Sequence, residues 1–241
     1  MKIKTLFISD VHLGNPNSQP KKLLEVFKLY EFENLYIIGD FIDMTYLKRH
    51  FYWNQDHSLV IQKVLRYSRK SDIKVTILSG NHDYFLRNLI DEGNINIGNI
   101  KISDKEIYTT IKGEKILIVH GDCFDGFIKT HPFLYWLGDN SYELSMKLNK
   151  IINFFRKLCK LQYWSLSAYL KTKVKDVIKF LTEYKKQSLI EVKNNDCDSI
   201  MMGHTHSPCI EPKYYNTGDW VESCSYIIEN LDGSIELKFY K

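Results

Sequence analysis

No apolar run in the 241-residue sequence approaches the ~20 residues that a membrane-spanning helix needs; stretches such as residues 116–119 are typical. Cysteine is scarce and unpaired. Cys123, Cys159, Cys197, Cys209 and Cys224 are odd in number and scattered, with no C-x-x-C pair. That excludes a disulfide framework or a zinc ribbon and predicts reduced thiols in a cytoplasm. Internal repeats and low-complexity linkers are lacking too. The N-terminus, M-K-I-K-T-L-F-I-S-D, is basic and then apolar, but its apolar run is short and ends at Asp10 instead of a small-residue cleavage site. It reads as a first strand, not a signal peptide.

What is present suits a globular α/β protein, one large domain or two small ones, with 44% hydrophobic residues to build a full core. The net charge of +4 is uneven: residues 127–195 carry 13 Lys and Arg against 5 Asp and Glu, so the rest is acidic. A basic segment beside an acidic body predicts an anionic partner for one and bound cations for the other, although a solvated lysine-rich surface explains the segment equally well.

Short strand-forming runs recur: residues 5–9 precede D-V-H, 35–38 precede G-D, 75–78 precede S-G-N-H-D and 116–119 precede H-G-D. Between the early runs lie amphipathic segments at residues 21–30 and 55–70, the latter with Leu59, Val60, Lys63, Val64 and Tyr67 at helical spacing. Strand, helix, strand in this order predicts a parallel sheet covered by helices. Residues 107–119 read as a hairpin around K-G-E, and residues 199–240 as mostly strands with a D-G turn at 232–233. Residues 132–192 differ. Aliphatic and aromatic residues recur there every three or four positions, which predicts a helical insertion into one domain spanning residues 1–241, with the inserted cap at about residues 127–195.

Every strand-like run ends in side chains that bind metals. Asp10 and His12 form D-x-H, His204 and His206 form H-x-H, Asp40 and Asp43 lie in G-D-F-I-D, Asn81, His82 and Asp83 in G-N-H-D, and His120 and Asp122 in H-G-D. In extended backbone, residues i and i+2 share a face, so each spaced pair converges on one point. Taken singly, Asp10 reads as a helix cap and His120 as a core histidine. Five of the eight histidines at such ends, where open α/β sheets bind ligands, point instead to one site.

D-V-H, G-D-F-I-D, G-N-H-D, H-G-D and G-H-T-H, in this order, resemble the five-block signature of calcineurin-like metallophosphoesterases. The resemblance covers the chain outside the insertion. It implies a four-layer α/β/β/α sandwich with a helical cap, and a two-metal hydrolase of phosphorus–oxygen bonds. Asp10, His12 and His206 would hold the first metal, Asn81, His120 and His204 the second, and Asp40 would bridge them. Asp43, Asp83 and Asp122 would orient ligands or His82, with Asp83 setting the His82 tautomer. His82 would stabilise the phosphoryl charge or protonate the leaving oxygen. A carboxylate, imidazole and amide set without thiolate suits Mn²⁺ first, with Fe, Zn²⁺ or Mg²⁺ as alternatives. Two such ions activate a bridging water as hydroxide near neutral pH and clamp the phosphoryl oxygens.

Within that superfamily the chain resembles the UDP-2,3-diacylglucosamine diphosphatase group, which cleaves a sugar-nucleotide diphosphate in lipid A assembly. The resemblance rests on L-F-I-S-D-V-H-L-G, Y-L-K-R-H-F-Y-W from Tyr46, an insertion after H-G-D, and Y-N-T-G-D-W at residues 215–220. His82 stands where the best-known members carry Arg, and Asp43 is an addition to their pattern. The implied substrate is a phosphorylated glycolipid, met by a cytoplasmic protein peripheral to the inner face of the cell membrane. A basic, aromatic-rich insertion suits such an amphiphile near an anionic surface. Lys171 and Lys175 are candidate phosphate contacts, and Arg49, Trp53 and His57 candidates for the opposite wall. The runner-up is a phosphodiesterase or nuclease, whose substrate would be soluble nucleotides or nucleic acid bound to the basic segment. A non-catalytic module of the same fold would lack ligands, and all seven are present.

Overall fold

A computed structural model describes residues 1–69, 72–91, 96–125 and 182–240. The chain divides into two compact units, Met1–Cys123 with Ser188–Lys241, and Phe124–Gln187. Most of the expected insertion, including Lys171 and Lys175, lies outside the described residues, and residues 188–195 fall in the first unit. Within the second unit, Phe124 packs edge-on against Tyr184, with ring centroids 5.6 Å apart. Among the described residues, no helix is long and apolar enough to cross a membrane.

The first unit begins β1 (Thr5–Ile8), α1 (Pro20–Leu29), β2 (Asn34–Ile38), α2 (Met44–Leu47), α3 (Gln55–Ser68), β3 (Lys74–Leu78) and α4 (Phe85–Asp91). Short β4 (Asn96–Ile97), β5 (Ile100–Ser103), β6 (Lys105–Thr109) and β7 (Lys115–Val119) follow. After the insertion come β8 (Ser199–Met202), β9 (Cys209–Glu211), β10 (Tyr214–Asn216), β11 (Ser225–Glu229) and β12 (Ile235–Phe239). They form a seven-stranded sheet, β12-β11-β1-β2-β3-β5-β4, and a five-stranded sheet, β6-β7-β8-β10-β9. β1, β2 and β3 are parallel, as the strand–helix–strand order requires.

Strand alternation divides the core. Leu6, Ile8, Leu35 and Ile37 meet Leu23, Val26 and Phe27 of α1 and Val60, Val64 and Tyr67 of α3. Phe7, Ile38, Leu78 and Ile227 meet Tyr108, Ile116, Ile118 and Met201 across the gap between the sheets. Burial on both faces explains why these strands read as continuous apolar runs. Both expected hairpins form: β6 pairs antiparallel with β7, and β11 with β12. The fold is thus mixed α/β with two packed sheets, and the parallel strands deliver their polar ends to one edge.

Candidate metal centre

The ligand pairs converge by a route that extended backbone does not supply. Asp10, His12, Asp40, His204 and His206 have φ between 50° and 62°, in the left-handed region. Such non-glycine conformations cost about 1–3 kcal/mol each and persist only where the surroundings hold them. The expectation that D-x-H and H-x-H project by strand alternation is therefore corrected: β1 and β8 have ended, and left-handed loops aim the side chains. Neighbouring loops brace one another, with His12 N–H donating to Asp40 O at 2.9 Å and Leu13 N–H to Phe41 O at 2.9 Å.

The motif glycines make room. A Cβ on Gly39 would overlap the His120 ring, one on Gly80 the Asp40 carboxylate and backbone, and one on Gly203 the Asp10 carboxylate and Ser9.

Asp10 and Asp40 are almost wholly buried, as are His12 and His120. His206 Nε2 lies 3.2 Å from Asp10 Oδ1, and His12 Nε2 lies 3.8 Å from both Asp10 Oδ1 and Asp40 Oδ2. His120 Nε2 lies 3.4 Å from Asp40 Oδ2 and 3.2 Å from Asn81 Oδ1. The His204 N–H donates to Asp10 Oδ2 at 2.9 Å, and its ring packs edge-on to His120 at 5.1 Å. Three sets of candidate donor atoms each fall within 4.8 Å of one another: Asp10, His12 and His206; Asp10, Asp40 and His120; and His12, Asp40 and His82.

These residues fit divalent cations. His120 Nδ1 donates to the Ile38 carbonyl at 2.9 Å, which turns the Nε2 lone pair toward Asp40 and Asn81 oxygens. A lone pair facing two oxygens is repulsive unless a proton or a cation lies between them. Burial alone would raise the Asp10 carboxyl, but His206, His120 and His12 hold it well below the usual range. Asp40 is likewise lowered to about 2, with burial overcome chiefly by His120. His120 is pushed up to about 10, its burial outweighed by Asp40 and Asp10. Buried carboxylates thus borrow positive charge from imidazoles, a role that metal ions fill directly.

Asp43, not Asp83, orients His82. Asp43 Oδ1 lies 2.8 Å from His82 Nδ1 and accepts the Tyr46 N–H at 2.8 Å, so one acid serves His82 and caps α2. Its Oδ2 accepts from Asn15 Nδ2 at 3.0 Å and faces His12 Nδ1 at 3.4 Å. Burial notwithstanding, these hydrogen bonds hold Asp43 far below the usual carboxylate range and, with other carboxylates, raise His82 above its ordinary value. Asp83 is spent on backbone: it accepts Gly80 N–H at 2.6 Å and Phe41 N–H at 2.8 Å, tying two motif loops together.

Asp122, expected to orient a ligand or His82, receives both terminal nitrogens of Arg87 at 2.9 Å, which pairs it with α4, and its charge adds to those that raise His120. Of the wall candidates, Arg49 is exposed. Trp53 donates to Ser58 Oγ at 2.9 Å and packs against the core. His57 is fully buried between Tyr52 and Trp53, and its ring nitrogens meet no hydrogen-bond partner among the described residues. It is a core histidine, because the first turn of α3 points it inward. Sequence reading passed over Asn15 and Arg87. Nothing marks either except proximity to a motif.

The family profile described as calcineurin-like phosphoesterase matches residues 3–208. The chain is 26% identical over 224 residues to the UDP-2,3-diacylglucosamine hydrolase of Blochmanniella pennsylvanica, covering 87% of this chain and 81% of that one. It is 24% identical over 255 residues to the enzyme of that name from Psychromonas ingrahamii, with 93% of each chain covered. Among solved structures, a novel archaeal phosphodiesterase superposes with a TM-score of 0.45 and 14% identity, over 98% of this chain and 99% of its own. The profile match spans every loop that builds the buried cluster, so the chain belongs to the calcineurin-like phosphoesterases and is a metal-dependent phosphoesterase.

Proposed function

We propose that this phosphoesterase hydrolyses the diphosphate of a UDP-linked diacylglucosamine, releasing UMP and a lipid 1-phosphate. The metal-dependent chemistry rests on one observation: buried Asp10 and Asp40 share a pocket with imidazoles whose lone pairs converge on it. The substrate rests on the curated relatives, three of which match over more than four-fifths of their length.

In this reading Asp10, His12 and His206 would hold one cation and Asn81, His120 and His204 the other, and Asp40 would serve both. Two divalent cations, Mn²⁺ by preference, supply Lewis-acid activation of water and neutralise phosphoryl charge. The remaining work falls to the chain. Asp43 takes the Nδ1 proton of His82 in a hydrogen bond and leaves Nε2 to face the phosphoryl group. The main-chain N–H of His82 donates to Asp40 Oδ1 at 2.8 Å and so ties the backbone beneath the imidazole to the Asp40 carboxylate. Protonated His82 then donates from Nε2 to the leaving oxygen.

The basic residues 127–195 would hold the anionic, partly apolar substrate, with Lys171 and Lys175 on phosphate, at the cytoplasmic face of an anionic membrane. The test is product analysis with UDP-diacylglucosamine, a cyclic nucleotide, single-stranded DNA and an aryl phosphate. UMP release from the first at the highest kcat/KM is expected. Shortening the acyl chains should cost severalfold per methylene, from the ~0.8 kcal/mol that each buried methylene contributes. Equal kcat/KM for long-chain, short-chain and unacylated substrates would remove the lipid. A second reading, a phosphodiesterase of soluble nucleotides, is favoured by the His82–Asp43 pair, and faster turnover of the cyclic nucleotide would establish it.

A further inference from the structure

The Y-N-T-G-D-W stretch has no part in the chemistry above, yet it touches both loops that carry the Asp10 and His206 ligands. Asn216, the last residue of β10, has a fully buried side chain. Its Nδ2 donates to Gly203 O at 2.8 Å and to Thr205 Oγ1 at 3.1 Å. Its Oδ1 accepts Gly218 N–H at 2.8 Å, which fixes the amide's orientation. Gly203 and Thr205 flank His204, and Thr205 precedes His206; both histidines are left-handed, at φ 62° and 50°.

The same turn grips the other loop. Ser9 Oγ donates to Gly218 O at 2.8 Å, Thr217 Oγ1 donates to Ser9 Oγ at 2.6 Å, and Trp220 N–H donates to Asp10 O at 3.0 Å. Left-handed non-glycine residues stay so only where outside contacts over-determine them. Here one five-residue segment, residues 216–220, supplies such contacts to both loops, beside those the loops make to one another.

We propose that Asn216 is a positioning residue: its amide holds the G-H-T-H loop in the strained form that presents His204 and His206 for metal, while Ser9 latches the Asp10 loop to the same turn. The inference rests on the two-metal reading above. Groups that orient ligands without touching the ion typically change metal affinity or activity about 10–100-fold.

The test is equilibrium dialysis of the full chain against graded Mn²⁺, with bound metal counted by elemental analysis and melting followed in chelator. Asn216→Leu keeps the branched heavy-atom shape, with bulkier methyl groups, and removes all three hydrogen bonds. Asn34→Ala serves as reference, since its amide donates to Thr5 Oγ1 at 3.1 Å, in neither motif loop. Half-occupancy of Asn216→Leu should need about 10–100-fold more Mn²⁺, with turnover recovering to within a fewfold at saturation. The reference should bind as wild type. Ser9→Ala should shift binding in the same direction by less, and it carries the test alone if Asn216→Leu does not fold. Unchanged half-occupancy with only a lower melting temperature would make the turn merely structural and overturn the proposal. Turnover still lost at full occupancy would also overturn it, by placing Asn216 in the chemistry. A wild-type chain that takes up no Mn²⁺ would instead sink the metal reading, so the two failures are distinguishable.

Discussion

Two glycine turns in this chain solve different problems. Gly113, in the K-G-E turn between β6 and β7, has φ 85°, and a Cβ there would meet nothing within 4 Å. Gly80, which opens G-N-H-D after β3, is outside the left-handed set, yet a Cβ there would overlap the Asp40 backbone and carboxylate. The first glycine is required by a torsion angle and the second by a neighbour. At the hairpin the strain is local and solvent is free to adapt. At the site the strain passes to Asp10, His12, Asp40, His204 and His206, whose left-handed backbones are held by packed loops. A turn of the first kind tolerates change at a modest stability cost, whereas one of the second kind loses function.

The largest effect should come from Asp40→Asn, which keeps the shape and removes the charge shared by His12 and His120. Turnover should vanish and bound metal should fall, as read by elemental analysis; full activity in a rigorously metal-free preparation would defeat the chemistry altogether. His82→Ala should lower kcat about 10²–10⁴-fold, the usual loss for one acid or base, while metal content holds. Because His82 also lies within reach of the His12 and Asp40 donor atoms, a collapse in metal content would instead identify it as a ligand.

Gly80→Ala tests the steric half of the comparison. Displacing Asp40 by even about 1 Å should cost about 10²-fold in turnover, with weaker metal uptake. Wild-type kinetics in that variant would show that the loop yields easily. Gly113→Ala should be the mildest. A left-handed Ala costs about 1–2 kcal/mol, and in a chain of this size each kcal/mol lowers the melting temperature by about 2–4 °C. Metal content and kcat/KM should stay at wild-type values, and a loss of either would tie the hairpin to the site.

Much of this was legible from the chain alone. Residues 5–9, 35–38, 75–78 and 116–119 became β1, β2, β3 and β7 almost to the residue, since double-sided burial demands apolar runs that stop where the sheet's edge begins. The ordered motifs marked the same edge. Less legible was which acid serves which base. Asp83 follows His82 in the chain, yet Asp43, on the neighbouring loop, receives the imidazole. Asp122 went to Arg87, and His57 went inward with a helical face.

Sequence by itself determined the elements, their order and the inventory of ligands, because strand burial and helical periodicity act over a few residues. Tertiary structure alone decided the pairings, since hydrogen bonds such as Asp43 to His82 and Asn216 to Gly203 depend on how closely loops from different strands approach. It also decided the backbone form of the ligands. The ligand aspartates and histidines hold φ near 50° among neighbouring loops and in space that glycines clear, and neither condition is a property of the residue or its immediate neighbours.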